Sequence, residues 1–206
     1  MKTNTIITIG REFGSAGREI GYKVAKEFGI KLYDKEMLAR AAKESGICEE
    51  IFESHDEKPT SSFLYSLVMD TYSMGYSGNT YTDMPINHKV FLAQFDAIKK
   101  IADEGPCILV GRCADYILRE RDDVLNVFIH ADMASKVNRA VTYFGITEDQ
   151  APALLKKKDK ARSNHYKYYT DQDWGMASNY DLSLNSGALG IDGCVDVILK
   201  ALEEIK

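Results

Sequence analysis

The sequence predicts a three-layer α/β/α domain on a five-stranded parallel sheet. Short apolar runs alternate with amphipathic helical patterns, the order that produces parallel sheets covered by helices on both faces. Several of these runs are apolar throughout, as strands buried on both faces tend to be. The length of 206 residues suits one such domain carrying an insert.

The first run, residues 5–9 (Thr-Ile-Ile-Thr-Ile), breaks into a glycine-rich turn. Ile20, Val24 and Phe28 then recur at helical spacing. Lys31–Tyr33 is the second run. Phe63, Leu64, Leu67 and Val68 suggest a helix, and residues 72–85, rich in Tyr, Ser, Gly, Asn and Thr, read as a long surface loop of the functional or mobile kind. Phe91, Phe95, Ile98 and Ala102 mark a helix stopped at Gly105-Pro106. Cys107–Val110 and residues 125–131 are the third and fourth strands, followed by a helix through Val137, Val141 and Phe144. Leu182–Asn185 is the fifth, and Val195, Ile198, Leu199, Leu202 and Ile205 mark a closing helix.

Composition narrows the functional classes. The hydrophobic fraction of 45% is ordinary for a globular protein. No apolar run is long enough to span a bilayer, and residues 1–9 lack the anatomy of a signal peptide. A cytoplasmic chain with no membrane partner is the expectation. Cys48, Cys107, Cys113 and Cys194 are scattered and read as buried free thiols. A net charge of −5 argues against nucleic-acid binding, while local basic clusters suit a small anionic ligand.

Four clusters carry possible chemistry. Gly10-Arg-Glu-Phe-Gly14-Ser15-Ala16-Gly17-Arg18 joins the first strand to a helix. It reads either as a phosphate site, formed by inward N–H groups and a helix N-terminus, or as an ordinary tight turn. Relative to Gly-x-x-x-x-Gly-Lys-Ser/Thr, Glu12 replaces the first glycine, Arg18 the lysine and Glu19 the hydroxyl residue. Asp34 ends the second strand and Arg40 follows on the next helix. They suit a phosphorylated nucleoside, or a helix cap with a solvated arginine. Gly111-Arg112 ends the third strand. Arg112 reads as a ligand contact or a structural ion pair, and Asp115 as its orienter or a helix cap. Lys158, Asp159 and Arg162 lie near one another on a helix, either a solvated face or a closing lid. The aromatics 165–169 and Trp174 suggest a small core of the lid's own. His55, His88, His130 and His165 show no metal-binding spacing, and His55-Asp56-Glu57 reads as solvent-exposed.

Taken together, these clusters resemble the cytidylate kinase-like family, a branch of the nucleoside monophosphate kinases with a P-loop fold. Gly14-Ser15-Ala16-Gly17-Arg18 occupies the place of the phosphate loop. Asp34 and Arg40 keep the step of the Asp-Thr-Gly-x-Met-Tyr-Arg segment, with Lys35-Glu36 replacing Thr-Gly. Gly111-Arg112-Cys113 stands where those enzymes have Gly-Arg-Asp. Asp159-x-x-Arg162 looks like the end of their lid motif, with Leu154-Leu155 where an Arg-Asp pair is expected. Asn179-Tyr180-Asp181 and Asn185-Ser186 look like the final strand beside the ATP base.

The resemblance implies ATP-dependent phosphorylation of a nucleoside monophosphate, with magnesium. It implies one domain over residues 1–206, with an acceptor-side helical insert at about 36–100 and a lid at about 150–176. In that reading Gly14, Ser15, Ala16, Gly17 and Arg18 hold the ATP phosphates. Asp34, Arg40, Arg112 and Asp115 hold the acceptor. Arg162 and Asp159 act with Arg18 and Arg112 in catalysis, and Ser15 is the nearest hydroxyl for magnesium. The altered loop also suits a regulatory nucleotide-binding protein without turnover, or a transferase using another phosphorylated donor.

Overall fold

A computed structural model of the chain describes residues 4–34, 40, 43–44 and 86–204. The expected helix at 63–68, the loop at 72–85, Cys48, His55-Asp56-Glu57 and most of the 36–100 insert lie outside the described residues.

Strands β1 (Ile6–Arg11), β2 (Lys31–Tyr33), β3 (Cys107–Val110), β4 (Val124–His130) and β5 (Leu182–Asn185) form one parallel sheet in the order β2-β3-β1-β4-β5. Ile7 lies opposite Ile108 on β3 and Leu125 on β4, which places β1 at the sheet's centre. The chain leaves β1 toward β2 and leaves β3 toward β4, on opposite sides. The carboxyl ends of β1 and β3 therefore flank a crevice of the kind that binds ligands in open α/β sheets.

Side chains of successive strand residues point to opposite faces, so the two layers of core can be read off β1 and β3. Ile7, Ile9, Ile108 and Val110 face α1 (Gly17–Phe28) and the C-terminal helix, through Ile20, Val24, Cys194 and Ile198. Ile6, Cys107 and Leu109 face the other side, where Phe91, Phe95 and Ile98 of α2 (Ile86–Asp103) and Ile117 of α3 (Ala114–Ile117) pack. Helix α4 (Met133–Phe144) follows β4 and is capped by Asp132, whose carboxylate accepts from the Ser135 N–H at 2.9 Å. The closing helix α6 (Ser186–Glu204) begins directly after β5 and is interrupted at Gly190. Its start lies eight residues before Cys194, the first of its buried core positions. Burial pushes the Cys107 thiol up to about 12, as fits an inert core residue.

The aromatics of the expected lid do not form a separate core. Residues 151–170 are one helix, α5 (Ala151–Thr170), and its C-terminal half belongs to the main core. Tyr169 is fully buried and stacks on Phe91 with ring centroids 3.9 Å apart. Trp174 meets Phe128 of β4 edge-on at 5.2 Å. Tyr169 also meets His165 at 4.7 Å and Tyr168 at 4.8 Å, so these aromatics touch one another, but their large apolar area is taken up by the main core through Phe91 and its neighbours. Tyr169→Ala is expected to cost about 3–5 kcal/mol, read as a lower urea midpoint with unchanged slope. A loss below about 1 kcal/mol would contradict this anchoring.

Candidate active site

The loop between β1 and α1 turns sharply. Gly14 (φ 82) and Ala16 (φ 62) are left-handed, and α1 begins at Gly17. This aims the first turn of α1 at the crevice beside β3, with the partial positive charge of a helix N-terminus. A cleft of about 740 Å³ opens there. Of the residues expected at the site, Gly14, Ala16, Gly17, Arg18, Asp34, Arg112 and Arg162 line it. Arg11, Arg139 and Lys158 line it too, so cations outnumber the lining carboxylates Glu12, Glu19 and Asp34. A net acidic chain thus carries a strongly cationic cleft.

Each carboxylate at the cleft has a cationic partner. Arg18 Nε lies 3.0 Å and Arg11 Nη2 3.8 Å from the buried Asp34 carboxylate. Arg139 Nη2 lies 2.5 Å from Glu19. Glu12 turns back beneath the loop, where it accepts from Lys136 Nζ at 2.9 Å and from the Ala131 N–H at 3.2 Å.

Arg112 is buried and sits within three successive left-handed residues, Gly111 (φ 77), Arg112 (φ 59) and Cys113 (φ 54). For the two non-glycine residues that backbone costs on the order of 1–3 kcal/mol each. The turn places Arg112 on the wall shared by the cleft and a small adjoining cavity. Asp115 lines this smaller cavity and accepts from the Tyr166 hydroxyl at 2.7 Å. Burial pushes the Asp115 carboxyl upward, against the lowering effect of that bond. The partner found for Asp115 is thus a tyrosine of α5, a third arrangement beside the orienter and cap expected from sequence.

Helix α5 lies across the loop. Arg162 Nη1 donates to the Arg11 carbonyl at 3.0 Å, and its guanidinium lies 5.7 Å from the Phe13 ring centroid. Asp159 accepts from the Phe13 N–H at 2.7 Å and from Lys136 Nζ at 3.0 Å. Asp159 therefore sits under the loop rather than among the residues lining the cleft, where a catalytic role was expected.

Two further residues stand apart from their expected places. Ser15 is buried, and its hydroxyl donates to the Glu12 carbonyl at 2.9 Å, so it closes the loop's own turn instead of facing a metal. Arg40 lines neither cavity; its guanidinium is bound by Glu104 at 2.5 Å and Glu44 at 2.8 Å, which raise its pKa. Among the described residues, Arg40 is thus paired with these carboxylates.

A model of the cytidylate kinase-like family matches residues 6–188. The chain belongs to this family. A relative from Thermococcus kodakarensis described as a cytidylate kinase is 21% identical over 201 residues, covering 97% of this chain and 89% of its own. A crystal structure of an uncharacterized protein from Eubacterium ventriosum superposes with a TM-score of 0.72 at 27% identity, over 97% of this chain and 98% of that one. Shikimate kinase from Bacteroides thetaiotaomicron superposes with a TM-score of 0.55 at 12% identity, over 97% of this chain and 98% of that one, a likeness of fold. The fold is that of the P-loop kinases, and a nucleotide kinase-like function goes with the family. Among the described residues, no helix is long and apolar enough to cross a membrane.

Sequence reasoning missed Arg11 and Arg139 on the cleft and Lys136 beneath its loop. Arg139 offered a weak signal, standing two residues from the helix pattern Val137–Val141 on a face shared with neither. Lys136 offered none, because its partners Glu12 and Asp159 are 124 and 23 residues away in the chain.

Proposed function

We propose that the chain transfers a phosphoryl group from ATP to a nucleoside monophosphate. The observation that carries this reading is the convergence of Arg18, Arg112 and Arg162 on the glycine loop at the carboxyl ends of β1 and β3. Phosphoryl transfer needs little covalent help from a protein; positioning and charge stabilisation supply nearly all of it. Guanidinium groups offer paired donors that match phosphate oxygens.

The donor set suits the implied cofactors. ATP supplies the transferable phosphoryl group, and magnesium neutralises charge on its phosphates. Magnesium usually keeps several waters and takes only one or two carboxylates from a protein. Asp34, buried at the cleft, is the carboxylate that would hold it, either directly or through water. The loop N–H groups would hold the donor phosphates, Arg112 the acceptor phosphate, and Arg162 the charge developing between them. Lys158 faces the same cleft from α5 and would add to that field.

A second reading is favoured by one observation: Ser15 is turned into the loop and Glu19 is held by Arg139, which leaves no hydroxyl where a phosphate loop normally has one. That arrangement suits a nucleotide-binding protein without turnover. An ADP-release assay with ATP, magnesium and a panel of nucleoside monophosphates, CMP and dCMP included, separates the two. Acceptor-dependent release is the expected result. A rise in melting temperature with ATP, but no release at any acceptor, would favour the second reading.

A further inference from the structure

A phosphate loop normally carries a lysine just after its last glycine, reaching the outer phosphates of the donor. Arg18 holds that place in the chain, yet its side chain is 49% exposed, with Nε on Asp34 and Nη2 3.4 Å from the Tyr22 hydroxyl. Arg11, the last residue of β1, is only 13% exposed and lies on the floor of the site. A Cβ on Gly17 would stand 2.6 Å from Arg11 Cβ and 3.2 Å from its Cγ, so the stem runs beneath the last glycine of the loop. A Cβ on Gly111 would collide with Arg11 Nη1, so the guanidinium lies against the turn that ends β3. Two glycines, one opening α1 and one following β3, thus leave the space this one side chain fills. Arg11 also lines both the cleft and the small cavity beside it.

We infer that Arg11, not Arg18, is the principal phosphate-holding cation of this loop. The inference rests on the kinase reading above and names the residue that replaces the missing lysine. Arg11 approaches a phosphate from below, between the ends of β1 and β3. Both cations reach the Asp34 carboxylate, Arg18 at 3.0 Å from the exposed outer wall and Arg11 at 3.8 Å from the floor. The charge has moved from the helix N-terminus to the strand end, and Gly17 and Gly111 are required by that route, Gly111 also by its left-handed turn. The Arg11 carbonyl, bound by Arg162, ties the same residue to α5.

The test compares Arg11→Gln with Arg18→Gln by two readouts: the melting-temperature rise produced by ATP or by inorganic tripolyphosphate, and kcat/KM. Arg11→Gln is expected to abolish the rise and to lower kcat/KM on the order of 10³-fold. Arg18→Gln is expected to lower the rise only in part and to cost about tenfold in kcat/KM, because Arg18 also lines the cleft but from an exposed position. Gly111→Ala, which leaves Arg11 in the chain but displaces its guanidinium, should reproduce the Arg11→Gln binding loss. If Arg11→Gln does not fold, Arg11→Lys, which keeps the charge and loses the fork, should still fall below Arg18→Gln in both readouts. Equal losses, or the reverse ranking, would overturn the role of Arg11 while leaving the kinase reading intact. A wild-type protein that neither binds these probes nor turns over would overturn both.

Discussion

Arg112→Ala is expected to lower kcat/KM for the acceptor on the order of 10³-fold. Arg112 is buried on the wall shared by both cavities, where its guanidinium acts in a less polar setting than bulk water and does not reorganise during the reaction. Its left-handed backbone, continued through Cys113, is held against its cost by the surrounding structure. Such strain at a cleft-facing cation suits a group whose position matters. Steady-state kinetics of the purified variant check this, with the melting temperature as a control for folding. Arg112→Lys separates charge from geometry: it should recover part of the loss, because the charge returns without the paired donors. A variant that kept full kcat/KM would remove Arg112 from the mechanism.

Lys136→Met is expected to destabilise the fold by about 3–5 kcal/mol, the usual loss when one partner of a buried ion pair is removed. The Lys136 side chain is 6% exposed and joins Glu12, under the phosphate loop, to Asp159 on α5. Without it, two carboxylates face each other across a partly buried gap. Burial pulls the Lys136 ammonium downward, but the bonds to Glu12 and Asp159 outweigh it and its pKa is raised. A lysine raised on folding adds stability that is complete below its unfolded value of about 10.4 and is lost as pH rises through the folded value. The deficit of Lys136→Met should therefore be full at neutral pH and shrink in strong alkali. Urea denaturation at pH 7 and above pH 10 measures both parts, and a deficit under about 1 kcal/mol at pH 7 would show that the pair holds little.

The sheet was legible because its strands are short, apolar and separated by amphipathic helices. Lys31–Tyr33, Cys107–Val110 and Leu182–Asn185 were found at their bounds, and β1 and β4 within two residues. Strand ends are set by hydrogen-bonding partners, which a single segment does not reveal. Arg18 and Arg112 are legible as cleft residues because each follows a glycine turn at a strand's carboxyl end, and Arg162 because it shares a helix face with Lys158. Arg11 is hidden inside the glycine-rich motif, whose signal comes from the glycines; the space left by Gly17 and Gly111 exposes it. Lys136 was hidden because burial of a lysine depends on partners brought together by folding. The pairing of Arg40 is hidden for the same reason. The arginine's spacing from Asp34 was visible, while Glu104, the carboxylate that binds it, comes from the end of another helix. The aromatics of α5 were legible as buried residues, but not which core they join.

The central claim is that this cleft moves a phosphoryl group from ATP to a nucleoside monophosphate. The most direct measurement follows the phosphorus itself: γ-phosphate-labelled ATP, magnesium and CMP are incubated with the protein, and the products are separated. The account predicts label in a nucleoside diphosphate made from the acceptor, with the yield collapsing in Arg112→Ala. Label found only in inorganic phosphate, or remaining wholly in ATP with each acceptor of the nucleoside monophosphate panel, would contradict it.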